Sequence, residues 1–194
     1  MVFYDAHTDE NYKDVEYAEG TDWVGIICPK FEGHQRAGNR IGPMKINLRN
    51  KNKGDFLWTF LSESIISDKV ANIFKENKLT GYELKEVELQ NMSSHLKLWE
   101  LIIIGKGGEA HKDSGIHLKE YCEYCGKKKY SAYENGIIVD LNNWDRSDLF
   151  TVVGYPRHIL VTEKVRNMVI KNKFTGIKFT PSHELKWPQG VIKP

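Results

Sequence analysis

No stretch of the 194 residues stays apolar for the ~18 positions that a membrane-spanning helix needs. The first residues, with Asp5, Asp9 and Glu10 among them, lack the basic start of a secretion signal. The expectation is a cytoplasmic protein with no membrane partner. Cysteine is scarce and odd in number, three in all, which argues against a disulfide framework. A catalytic constellation is missing too. Glu63, His95, Asp113, His117 and His158 supply acids and bases, but none stands at the spacing of a nucleophile with its base or of a metal-binding helix. Lys106-Gly107-Gly108 lacks the surroundings of a phosphate loop. No catalytic residue is nominated, and the chain is not expected to be an enzyme. The net charge of +2 is also too near neutral to make nucleic acid the first choice of partner.

What the chain does have is an internal duplication. The run from Ser67 to Leu84 recurs 95 positions later, from Thr162 to Phe179, without a gap. Lys69, Val70, Asn72, Asn77, Lys78, Thr80 and Gly81 match Lys164, Val165, Asn167, Asn172, Lys173, Thr175 and Gly176. Ser67 and Thr162 suit helix N-caps, and Asp68 and Glu163 sit where the helix dipole favours acids. Val70, Ile73 and Phe74, like Val165, Met168 and Val169, follow the spacing of one buried helical stripe. Gly81 and Gly176 are expected to stop the helices. Tyr82 and Leu84, like Ile177 and Phe179, alternate with charged residues as a strand does, and Ile65-Ile66 and Ile159-Leu160-Val161 supply a strand before each helix.

The expected fold is therefore α+β: two pseudo-repeated strand-helix-strand units, 54–90 and 147–185, on a mixed or antiparallel sheet. Between them, 91–146 would insert a strand, Leu98 to Ile104, and a hairpin carrying the cysteine pair. The whole chain forms one domain or two tightly packed lobes. Before the first unit a short strand is expected at Val24 to Cys28, a loop from Lys30 to Gly42, and a break at Asn50-Lys51-Asn52-Lys53-Gly54.

Residues 1–22 carry seven acids (Asp5, Asp9, Glu10, Asp14, Glu16, Glu19 and Asp22) against Lys13 alone. One interpretation is a solvated edge strand and loop; the other is a face that meets a basic partner. Tyr12, Tyr17 and Trp23 are the aromatic candidates for an anchor there.

Cys122-Glu123-Tyr124-Cys125-Gly126 has the spacing of a turn that grips one side of a tetrahedral zinc. Cys28, His34, His111 and His117 are the candidates to complete it, and Cys28 and His34 are nominated, since Cys28-Pro29-Lys30-Phe31-Glu32-Gly33 looks like a second knuckle without its other cysteine. The alternative is reduced, partly buried thiols. Lys127-Lys128-Lys129-Tyr130 beside the pair also fits a zinc-ribbon nucleic-acid binder.

Several motifs occur in order: Leu98-Trp99-Glu100-Leu101, Gly107-Gly108, Ser114-Gly115-Ile116, Cys122-x-x-Cys125-Gly126, Tyr130-Ser131 and Trp144-Asp145-Arg146-Ser147-Asp148-Leu149-Phe150. Across roughly residues 20 to 185 the chain resembles the double-CXXCG motif family, first noticed as paralogues in myxobacteria. Some of its members are immunity proteins, encoded beside a polymorphic toxin. The resemblance implies that this chain binds and neutralises a cognate toxin. The acidic N-terminal segment would suit a basic nuclease. The first CXXCG is reduced here to Cys28, so the resemblance implies zinc held by three cysteines and a histidine, or no zinc.

Overall fold

The computed structural model describes residues 1–12, 15–49, 54–91 and 96–187. Among them lie fifteen short strands and two α-helices, a mixed α+β fold made mostly of strand. Two antiparallel four-stranded sheets carry it. In the first, β13 (Leu149–Val152), β14 (Tyr155–Thr162), β1 (Phe3–Thr8) and β15 (Ile177–Pro181) lie in that order. In the second the order is β6 (Phe56–Trp58), β7 (Ser64–Ser67), β10 (Leu98–Ile103) and β8 (Tyr82–Glu86). Helix α1 (Asp68–Glu76) joins β7 to β8, and α2 (Glu163–Lys171) joins β14 to β15. Each helical crossover thus straddles a strand from elsewhere in the chain: β10 in one sheet and β1 in the other.

The acidic start is consequently no solvated edge at residues 3–8. Leu160 and Phe3 are buried with Tyr133 and Phe150 on one face of the first sheet, and Ala6, Ile159 and Val161 on the other. Asp5 is buried and offset by His158, whose Nδ1 lies 3.1 Å from its carboxylate. On its other face the second sheet packs its own Leu57, Ile65 and Leu98 against Met44, Ile46 and Val87. Between the sheets, one core unites Phe56, Val70, Phe74 and Leu101 with Leu149, Val165, Val169 and Phe174.

The helices bury Val70, Ala71 and Phe74, and Val165, Met168 and Val169. Ser67 Oγ accepts the Val70 N–H at 3.3 Å, as a cap should. Thr162, in the same position, instead donates its hydroxyl to Asp148. The two glycines also differ from expectation. The helices end at Asn77 and Asn172, and Lys78 and Lys173 take the left-handed turn. Gly81 and Gly176 are required because a Cβ would sit 1.9 Å from the Leu149 carbonyl oxygen and 2.0 Å from that of Phe56.

These close approaches belong to two matching junctions. Asp55 Oδ2 accepts from both the Thr175 N–H and hydroxyl at 3.0 Å, while Phe56 N–H donates to the Thr175 carbonyl at 2.9 Å. Asp148 Oδ2 accepts from the Thr80 N–H at 3.1 Å and its hydroxyl at 3.3 Å, while Leu149 N–H donates to the Thr80 carbonyl at 3.1 Å. The start of β6 therefore grips the residue ahead of Gly176 in the turn after α2, and the start of β13 grips the residue ahead of Gly81 in the turn after α1. Hydrogen bonds to a charged acceptor contribute about 1.5–3 kcal/mol. Asp55→Ala and Asp148→Ala should each lose about that much in urea denaturation, and a large inequality between them would show that the junctions do not work alike.

The remaining strands form three small sheets. In the first, β2 (Val15–Tyr17) pairs antiparallel with β5 (Lys45–Leu48), which pairs parallel with β9 (Glu88–Leu89). β3 (Asp22–Ile26) pairs with β4 (Arg36–Ile41), so the stretch from Lys30 to Gly42 is not all loop. β11 (Leu118–Tyr121) pairs with β12 (Lys128–Tyr130). Among the described residues, no helix is long and apolar enough to cross a membrane.

Candidate metal centre

Two hairpins meet at their tips. The β11–β12 turn carries Cys122 and Cys125. Gly126 closes it with φ +67°, and the Gly126 N–H donates to the Cys122 carbonyl at 2.8 Å. The β3–β4 hairpin carries Cys28 just past β3, and a 3-10 turn at Glu32–His34 swings His34 back toward it. Phe31, where the knuckle spacing would place a second cysteine, points its half-exposed ring outward and stacks on His34 at 5.1 Å.

The ligand atoms of Cys28, His34, Cys122 and Cys125 all lie within 4.8 Å of one another, with Cys28 and Cys122 buried and the other two half-buried. Cys28 Sγ is 3.8 Å from Cys122 Sγ, and Cys125 Sγ is 3.8 Å from His34 Nδ1. A tetrahedral zinc with bonds of about 2.3 Å to sulfur sets its ligand sulfurs about 3.8 Å apart. Donor type, number and spacing fit zinc. His111 and His117 lie outside the cluster: His111 Nδ1 accepts the Asp113 N–H at 3.3 Å, and His117 Nδ1 lies 3.2 Å from the Gly115 carbonyl.

The electrostatics suit thiolates. Loss of solvent works to raise the Cys125 thiol, but the Arg36 guanidinium, the Lys127 N–H and the neighbouring sulfurs bring it down to about 6. Arg36 reaches the Cys125 sulfur at 3.6 Å and its carbonyl at 2.9 Å, holding the ligand and offsetting its charge. Burial pushes the Cys122 thiol up, against backbone bonds from Tyr124 and Cys125. Arg36 was not legible as a site residue; only its place on the strand leading out of His34 brings it to Cys125.

The acidic residues nominated from the sequence do not form one row. Asp5 is inside the first sheet. The Asn11 N–H bond to its carboxylate, and then Lys178 paired with it at 3.1 Å, hold the Asp9 carboxyl low. Glu16 pairs with Arg49. Glu10, Glu19 and Asp22 are exposed, and Asp14 and the 50–53 break lie outside the described residues. Tyr12 packs over Gly54. Tyr17 and Trp23 stack edge to face at 4.8 Å, and Phe60, 78% exposed, stacks on Tyr17 at 5.5 Å. No protein-family model matches this chain, and no curated protein matches it.

Proposed function

We propose that the chain is an immunity protein that binds and neutralises a cognate bacterial toxin in the cytoplasm, acting by contact rather than by catalysis. The observation that carries this reading is the convergence of Cys28 and His34 with Cys122 and Cys125. It unites two knuckles 94 positions apart, the arrangement implied by resemblance to the double-CXXCG family, with histidine in place of the missing cysteine. The metal there is structural zinc. The same reading takes the body as two pseudo-repeated strand-helix-strand lobes, 54–90 and 147–185. The reciprocal Asp55–Thr175 and Asp148–Thr80 junctions support it, as does the placement of β1 and β10, whose first residues are again 95 positions apart, each as the third strand of its four-stranded sheet. The segment between the lobes, 91–146, carries the cysteine hairpin.

The proposed partner is a basic protein such as a nuclease, met by the N-terminal acids and their neighbouring aromatics, because carboxylates attract it at long range and occupy its phosphate sites. Co-expression with the product of the neighbouring gene is expected to restore survival and yield a stable complex. A harmless neighbour, or no complex, would overturn the proposal. One observation favours a second reading as a zinc-ribbon-like nucleic-acid binder: Tyr121 and Tyr124, both more than half exposed, lie under Lys128 and Lys30 beside the metal site. Strongly salt-dependent binding to single-stranded nucleic acid would select it.

A further inference from the structure

We propose that the partner enters the molecule at the cleft between Trp58 and Phe60, and that it does so with an arginine side chain carried on a basic protein surface. This rests on the binding function proposed above and assigns its contact point. The cleft holds about 480 Å³, and Val15, Glu16, Arg49, Trp58 and Phe60 are among the residues that line it.

Phe60 is the unusual element. It sits at the tip of the β6–β7 loop with most of its ring in solvent, yet the loop is firmly built. The Thr59 N–H donates to the Glu63 carbonyl at 3.0 Å, the Ser62 N–H donates back to the Thr59 carbonyl at 3.0 Å, and Ser62 takes φ +68°. The ring is braced from behind by Tyr17, itself braced by Trp23. The Tyr17 hydroxyl donates to Glu63 and lies 3.0 Å from the Thr59 hydroxyl. An exposed aromatic that is already held in place costs little entropy to bury against a partner, and aromatic rings, phenylalanine among them, are enriched at the cores of protein interfaces.

The occupant follows from charge. Asp9, Glu10, Glu16, Glu19 and Asp22 stand on the elements that border the cleft and the aromatic stack, with Glu63 bonded to Tyr17, against Arg40, Lys45, Arg49 and Lys178 among the described residues, so acids outnumber bases there. An aromatic wall beside a carboxylate suits guanidinium better than ammonium, because the planar group stacks on the ring while its fork meets both carboxylate oxygens. Glu16 is held by Arg49, but both side chains are about half exposed, at 47% and 59%. An exposed pair of that kind adds little to stability, so an incoming arginine can exchange with Arg49.

The test uses the full chain and the co-purified product of the neighbouring gene as probe. Phe60→Ala should weaken the complex about thirtyfold or more. Glu16→Lys should weaken it and flatten its salt dependence. Both should melt where the parent does, and Leu141→Ala, an exposed apolar residue outside the cleft and the metal site, should bind as the parent does. If the parent binds and Phe60→Ala binds within about twofold of it, the cleft assignment fails while the immunity function stands. If the parent forms no complex, that function fails and the cleft with it. If Phe60→Ala instead converts a self-associated chain to monomer, the occupant is a second copy and the assignment is overturned.

Discussion

Replacing Cys122 with Ser is expected to abolish stoichiometric zinc binding and to unfasten the two hairpins from each other. Purified under reducing conditions, the parent should carry one zinc per chain, and cobalt in its place should give the intense thiolate absorption of a tetrahedral sulfur-rich site. Serine preserves the volume of Cys122 but supplies no thiolate, and the three ligands left need a water to complete the tetrahedron, a far weaker site than four protein donors. Structural zinc in small fingers binds with about 10–16 kcal/mol, most of it spent on folding. Here three apolar cores exist apart from the knuckles, so the metal's share of global stability is smaller. At free zinc a thousandfold above the dissociation constant it amounts to about 4 kcal/mol. Chelation should therefore lower the melting temperature of the parent and leave that of Cys122→Ser unmoved, while Arg36→Ala keeps the metal at about 10–100-fold lower affinity. A parent that elutes without metal, and melts identically with and without chelator, would leave reduced thiols as the correct description.

The route from sequence to this site was only half open. The Cys122 to Cys125 spacing is local chemistry, legible because the turn that grips a metal is made by adjacent residues. Its other half is not local. His34, His111 and His117 are equally available as types, and only the pairing of β3 with β4 brings the first to the sulfurs. That pairing was hidden because Arg36 to Ile41 has no apolar face to bury: a two-stranded hairpin at the surface needs none, and its strand reads as loop. The helices and their flanking strands were plain, since each buries one stripe against the common core. Residues 3–8 were misleading for the opposite reason: their acid, Asp5, lies inside the sheet, satisfied by His158 from 153 positions away.

A second buried acid, Glu100 on the inner strand of the other sheet, leads to the larger stability prediction outside the metal site. Glu100 is 7% exposed and bonded to Arg40, which also reaches Glu63 at 3.3 Å. Burial works against the Arg40 charge, but Glu100 and then Glu63 more than restore it. Burial also pushes the Tyr17 phenol up, aided by its bond to Glu63. Arg40→Ala should cost about 3–5 kcal/mol in urea denaturation, because it strands one buried carboxylate and one partly buried one without their counter-charge. Arg40→Met combined with Glu100→Gln should recover most of that loss, since the penalty lies in the unpaired charge and not in the missing attraction. A loss below about 1 kcal/mol would mean that the cluster is solvated.

The position of Arg40 gives the experiment reach beyond stability. It is the anchor of β4 on the second sheet, so it fixes the hairpin that bears Cys28 and His34, and through Glu63 it steadies the Tyr17 and Phe60 rings. Arg40→Ala should consequently weaken zinc binding and partner binding together, whereas Cys122→Ser disturbs the first and Phe60→Ala only the second. Loss of both functions in Arg40→Ala, with neither restored in the Arg40→Met, Glu100→Gln pair despite recovered stability, would make Arg40 a positioning residue for both sites, acting through direction and not through folding energy alone.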